Sequence, residues 1–364
     1  MRETEILARL VGFPTLTGGP NLELIDWVQA LLTGAGFRVT RVLSADGQKA
    51  GLLAKFGDGD GGVLFSAHSD VVPVEGQDWS SDPFTLTERD GRLVGRGATD
   101  MKGFLACVLA RAERLAAAPP TRPVMIALSW DEELGCRGIP EMIDLVLPIL
   151  GRPDLVIVGE PTALRLCTGH KGKAAYRAIC RGTPGHSALA PRFTNALHLA
   201  TDLVMALRRV QARLSESGAR EPDYEIGYST LHVGQMSGGV ALNMVPETAL
   251  VDFEIRHVAA DRPDTLLAEV MDGLPDGIAV DQINAYPGLA ADPDAPAIAA
   301  LAAQLDDPTP IKVSYGTEAG FFAGLGLPTI VCGPGDMADG HQPNESIALG
   351  ELTRCAALIA RLTS

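Results

Sequence analysis

Seven side chains in this sequence have the types needed for metal chemistry: His68, Asp70, Asp100, Glu132, Glu133, Glu160 and His341. Two imidazoles with three or four carboxylates make a hard-to-borderline set of nitrogen and oxygen donors. Such a set suits a pair of zinc, cobalt or manganese ions better than a cysteine-rich structural zinc. Two ions about 3.5–4 Å apart can share a bridging carboxylate and a bridging water, bring that water's pKa toward neutrality and polarise an amide carbonyl. One more carboxylate has to stay uncoordinated to carry protons. Taken singly, each residue has an ordinary reading. An acid after a strand is commonly a helix cap or a solvated loop residue, and Glu132–Glu133 reads as an acidic turn. The case for chemistry is that these residues recur at the ends of successive strands.

The elements that must position them follow from apolar patterning. His68 and Asp70 come after an apolar run at 63–67, and Asp131, Glu132 and Glu133 after one at 124–130. Glu160 follows a run at 155–158, and His341 lies in a glycine-rich loop after 329–332. Asp100 sits just ahead of a helical pattern beginning near Lys102. In open α/β sheets, ligands bind beyond the carboxyl ends of the strands, so these groups can converge on one crevice. Helical spacing at 21–35, 102–118 and 139–150 alternates with the short runs and predicts an α/β fold with a mostly parallel sheet sandwiched by helices. The glycine–aspartate stretch at 57–62 is turn material, lacking the closing acid of a calcium loop and the lysine of a phosphate loop.

From about Lys173 the pattern changes. Strand-like segments at 174–180, 229–234, 249–257 and 278–284 accompany helical ones at 195–214 and 264–274, an α+β unit. After Pro287 the α/β alternation resumes, with helices at 295–305 and 351–362. The expected organisation is therefore a domain formed by 1–172 and 287–364, with 173–286 inserted into it.

With 46% hydrophobic residues in 364, the chain has ample material for a packed core, which excludes disorder as its main state. The first residues lack the unbroken apolar segment of a secretory signal, and no run approaches the roughly 20 residues needed to cross a bilayer. A cytoplasmic protein is expected. Six scattered cysteines without any paired spacing read as reduced core thiols. A net charge of −15 speaks against nucleic acid or an anionic membrane as partner, and suits a cationic or zwitterionic small ligand.

The segments SAHSDVVP, GRGATDMKG, WDEELG, GEPT and GHQPNES resemble, in order and spacing, the motifs of the two-metal deacylase and aminopeptidase family. That family includes acetylornithine deacetylase, succinyl-diaminopimelate desuccinylase and the glutamate-releasing carboxypeptidases. The resemblance covers nearly the whole chain. It implies a zinc-exopeptidase-like fold in which His68 and Glu160 hold one metal, Glu133 and His341 the other, and Asp100 bridges both. It further implies that Glu132 is the general base, that Asp70 orients the His68 imidazole, and that the Asp100–Met101 peptide is cis.

The insert is similar to the family's lid and dimerisation domain, which implies a homodimer. There His186 matches a histidine that reaches a partner's active site and stabilises the oxyanion, while Asn243 and Arg256 match positions that hold the substrate carboxylate. Unaided by the family, His186 reads as an exposed turn residue and Arg256 as one half of a strand-face ion pair.

Within the family, His170–Lys171–Gly172 and the run from Tyr315 to Gly320 look like the acetylornithine deacetylase branch. Thr317 and Glu318 are expected beside the substrate, with Glu318 favouring the cationic side chain of ornithine. A desuccinylase, a broader N-acyl-amino-acid deacylase and a dipeptidase make the same demands on two metals and stay open. A metal-free amino-acid-binding protein would be favoured by loss of a ligand or of Glu132, and none is lost. A dinucleotide-binding oxidoreductase lacks its glycine fingerprint.

Overall fold

A computed structural model describes residues 2–364. By density of contacts the chain divides into two compact units: residues 1–169, 289–312 and 317–364 form one, and residues 170–288 with 313–316 the other.

The first unit is built on a nine-stranded sheet. At its centre, Val124–Ser129, Val63–His68, Leu155–Pro161 and Thr329–Gly333 lie side by side and parallel. Ala50–Phe56 and Arg38–Leu43 extend one side as antiparallel strands, and Cys167–His170 the other. The central strands are buried on both faces, which is why they read as continuous apolar runs rather than alternating ones. Successive residues still point to opposite faces. Leu52, Phe65, Ile126, Leu128, Ile157 and Ile330 share one core with the helices Glu3–Val11, Leu22–Gly34, Gly103–Leu115 and Leu349–Leu362. Their sequence neighbours Leu53, Leu64, Met125 and Val156 fall outside that core and point to the opposite face, where Ile139–Leu150 packs. The result is the α/β sheet sandwiched by helices that the pattern predicts.

Because the four central strands run parallel, their carboxyl ends lie along one edge of the sheet. His68 ends its strand opposite Ser129, and Glu160 is the last residue but one of Leu155–Pro161. A small sheet of Thr87–Arg89, Arg92–Val94 and Ser346–Ala348 brings the segment after His341 beside the residues that precede Asp100.

The second unit is an antiparallel sheet in the order Thr230–Gly238, Thr248–His257, Gly172–Arg181, Ile278–Tyr286. Ala174, Tyr176, Ala178 and Cys180 alternate inward with Val251, Phe253 and Ile255 to meet the long helix Ala196–Ser217 and the helix Pro263–Met271. Asn195 caps the long helix, its side-chain oxygen accepting from Leu197 N at 2.9 Å. All six cysteines are buried and none forms a disulfide, and among the described residues no helix is long and apolar enough to cross a membrane.

Candidate metal centre

The site starts at the end of Val63–His68. His68 Nδ1 lies 3.0 Å from the Asp70 carbonyl oxygen, and 3.5 Å from its carboxylate. A proton held on Nδ1 by that carbonyl leaves Nε2 facing two acids, Asp100 Oδ1 at 3.1 Å and Glu160 Oε1 at 3.7 Å. Asp70 is turned chiefly toward the next loop, where its two oxygens accept from the backbone of Glu132 at 3.1 Å and of Glu133 at 3.3 Å. One buried aspartate thus ties the loop after one strand to the loop after its neighbour.

Asp100 occupies an irregular turn, Ala98–Lys102, and the peptide joining it to Met101 is cis, as the resemblance implied. Its second oxygen lies 3.2 Å from His341 Nε2, and that nitrogen is also 3.0 Å from Glu133 Oε2. The candidate ligand atoms cluster tightly: one each of His68, Glu132 and Glu160 lies within 4.8 Å of the others, and the same holds for His68, Asp100 and Glu133. The loops that carry the site are held in strained backbone. Asp131, Cys136, His341 and Asn344 have φ of 51°, 58°, 60° and 60°, a region that non-glycine residues seldom adopt.

The electrostatics follow from packing four carboxylates into one buried space. Burial pushes the Glu132 and Glu160 carboxyls well above the usual range, with Glu133 and Asp100 adding repulsion. Burial and the Asp100 charge carry Glu133 up to about 7. Burial opposes the charging of His68, but the carboxylates of Asp100, Asp70 and Glu160 outweigh it and raise the imidazole. His341, half-exposed at the mouth, is pushed up to about 10 by its bonds to Asp100 and Glu133. Asp100, between the two histidines, is drawn below its ordinary range despite its burial.

A cation fits this donor set. Glu160 Oε1 is buried and accepts no hydrogen bond among the described residues, an orphan acceptor that a positive ion would satisfy. The donors are two imidazoles and carboxylates with no thiolate among them, which matches the borderline divalent ions.

Seven of the expected site residues, His68, Asp70, Asp100, Glu132, Glu133, Glu160 and His341, are therefore brought together. Thr317 and Glu318, expected beside the substrate, are both buried. Thr317 is fully buried, its Oγ1 accepting from Ala319 N at 3.0 Å at the start of the short helix Ala319–Gly324. Glu318 is 1% exposed, held beneath the site near Ser129 and Ser66, and burial pushes it up to about 7.

The remaining three belong to the second unit. His186 pairs with Met244 in a two-stranded ladder, Gly185–His186 with Met244–Val245, and Ser187 N donates to Asn243 O at 3.1 Å, so His186 and Asn243 are neighbours. Arg256 projects from Thr248–His257, its Nε donating to Glu254 Oε1 at 2.8 Å.

Four residues escaped the sequence reading. Cys136 donates its thiol to Glu132 Oε1 at 3.3 Å. Arg96, Glu345 and Gln77 stand directly behind Asp100 and His341. Glu345 lies in the GHQPNES segment, but a carboxylate there has the same sequence signature whether it faces a metal or the backbone.

The model of peptidase family M20/M25/M40 matches residues 64–364. The acetylornithine deacetylase of Myxococcus xanthus is 33% identical over 373 aligned residues, covering 98% of this chain and 95% of that protein. That of Shigella sonnei (strain Ss046) is 33% identical over 356, covering 94% and 91%. Among solved structures, an M20 family metallo-carboxypeptidase from Sulfolobus solfataricus superposes with a TM-score of 0.79 at 18% identity, covering 100% of this chain and 98% of the other.

Proposed function

The chain belongs to peptidase family M20/M25/M40, a family of hydrolases, and on that premise we propose that it cleaves the amide of an N-acyl amino acid, foremost N2-acetyl-L-ornithine, giving L-ornithine and acetate. The observation that carries the reading is the Asp100 carboxylate, which offers one oxygen toward His68 at 3.1 Å and the other toward His341 at 3.2 Å. Asp100 would be shared between two cations, one held by His68 and Glu160 and the other by Glu133 and His341. Two divalent ions, zinc foremost with cobalt or manganese as substitutes, would supply Lewis acidity to the scissile carbonyl and acidify the attacking water.

The chain's own residues do the rest. Glu132 lies within reach of the His68 and Glu160 donors but is the carboxylate left over once five ligands are assigned. It takes the proton from water and passes it to the leaving nitrogen as the carbon–nitrogen bond breaks. Burial raises its affinity for that proton, which suits a group that must hold one briefly at neutral pH. Asp70 fixes the backbone of Glu132 and Glu133, and so sets where the base stands. His186 is assigned to the oxyanion and Arg256 with Asn243 to the substrate carboxylate, for which the planar guanidinium is suited. A homodimer through the second unit, in the cytoplasm, completes the reading.

Acetylornithine as substrate is supported by the curated relatives and by an acidic chain that suits a cationic amino acid. The test measures acetate and ornithine release by metal-loaded enzyme, by chelated enzyme and by Glu132→Gln. Acetylornithine is to be turned over with the highest kcat/KM among acetylornithine, acetylmethionine, succinyl-diaminopimelate and a dipeptide. A higher value for one of the others reassigns the substrate; full activity after chelation, or in Glu132→Gln, removes the mechanism.

A further inference from the structure

Behind the candidate ligands runs a second, continuous set of hydrogen bonds that the reaction does not use. Glu345 Oε1 accepts from Thr99 N at 2.9 Å and from Asp100 N at 3.0 Å. Its other oxygen accepts from Arg96 Nη1 at 2.7 Å. The guanidinium goes on to donate to the carbonyls of Gln342 and Pro73 and to Gln77 Oε1. Gln77 then donates through Nε2 to the carbonyl of His341 at 2.8 Å. Three side chains therefore link the backbone amide of Asp100 to the backbone carbonyl of His341.

Two further features set this chain of contacts apart from ordinary loop packing. Arg96 and Glu345 are 0% and 1% exposed, and a buried ion pair is a costly way to hold a fold. His341, moreover, is held at φ 60°, and Gln77 bonds to the carbonyl of that same residue. Trp79 braces the assembly, its indole nitrogen donating to Gln77 Oε1 at 3.0 Å and its ring lying 5.0 Å from the Arg96 guanidinium.

We infer that Gln77, Arg96 and Glu345 are positioning residues that set the distance between Asp100 and His341, and with it the affinity of the metal position those two share. The inference rests on the two-metal reading of the site. The alternative is that these bonds only knit the loop around residue 77 to the loop around residue 342. The chain contains a control for that alternative: Ser80 ties the same two loops together, donating from N and Oγ to Asn344 Oδ1 at 2.9 and 2.6 Å, but reaches neither Asp100 nor His341.

The experiment loads cobalt(II) into the full-length wild type, Gln77→Leu, Glu345→Gln and Ser80→Ala. It reads stoichiometry, the affinity of the weaker site by competition with a chromophoric chelator, the visible absorption of bound cobalt, and kcat apart from KM. Gln77→Leu is expected to weaken the second cobalt about 10- to 100-fold, to change its absorption and to lower kcat with KM unmoved. Ser80→Ala is expected to stay within about twofold of wild type in all of these. Gln77 is only partly buried on an irregular loop, so it decides the question even if Glu345→Gln fails to fold. Equal weakening by Gln77→Leu and Ser80→Ala, or none by Gln77→Leu, overturns the inference while leaving the metal reading intact. A wild type that takes up no cobalt overturns both.

Discussion

The thiol of Cys136 donates to Oε1 of Glu132 across 3.3 Å, from a backbone held at φ 58°. The bond orients the carboxylate proposed as base and draws on one of its lone pairs. Burial and the neighbouring Glu132 and Glu318 raise the thiol well above its ordinary range, so it stays a donor at neutral pH. Cys136→Ala removes that donor and is expected to lower kcat about three- to tenfold, the value of roughly one hydrogen bond. Cys136→Ser, which keeps a donor, is to recover most of the loss. Steady-state kinetics on the two variants checks this, and equal loss in both would show that packing rather than the bond is at stake.

Metal uptake has a proton signature. Without metal, the bonds to Asp100 and Glu133 carry His341 to about 10, and the carboxylates around His68 raise it as well, so both imidazoles hold a proton more tightly than a free one. Coordination requires them neutral, and binding therefore expels protons. Calorimetry of zinc binding at pH 7 in two buffers of different ionisation enthalpy is expected to report release of about one imidazole proton per filled site. Affinity falls as pH falls, because protons then compete harder for the same nitrogens. Zero release would mean that these imidazoles are not ligands.

How far the sequence discloses this arrangement depends on which force acts. The central strands are legible because both their faces are buried, and the candidate ligands other than Asp100 because they lie at or after the ends of those strands. Arg38–Leu43 is not: its exposure is irregular and its residues alternate no apolar face, so only pairing with Ala50–Phe56 makes it a strand. Glu3–Val11 is nine residues long and owes its place to Ile6, Leu7, Leu10 and Val11 meeting the core. Buried polar residues are the least legible. Glu318 and Glu345 are acids in loop-like sequence, and what buries them is contributed by residues as distant as Arg96, 249 positions away from Glu345.

Glu318 offers a specificity test. It is 1% exposed, and its charge is felt at Glu132, whose proton affinity it raises. Glu318→Gln keeps the shape and removes the charge. If its field favours the cationic side chain of ornithine, the preference for acetylornithine over acetylmethionine is expected to fall by about fivefold, near 1 kcal/mol. An unchanged ratio of kcat/KM values would leave Glu318 a structural residue only.

His170 makes the second unit sensitive to acid. Burial, aided by the nearby His257, lowers this imidazole from 6.5 to about 4, and it is 1% exposed. The unfolded chain takes up a proton near pH 6.5, whereas the folded one does so only near 4. Between those values the unfolded state binds more protons, so stability declines as pH falls through that window and no further below it. The shift corresponds to about 3 kcal/mol at full extent. His257, itself lowered by burial, acts in the same direction, so the comparison must be between variants rather than between pH values alone. In chelator-treated protein, where metal loss cannot contribute, His170→Gln is expected to start less stable at pH 7 but to lose less between pH 6.5 and 4.5 than wild type. Urea midpoints at the two pH values measure the difference, and parallel declines would show that another group carries the acid sensitivity.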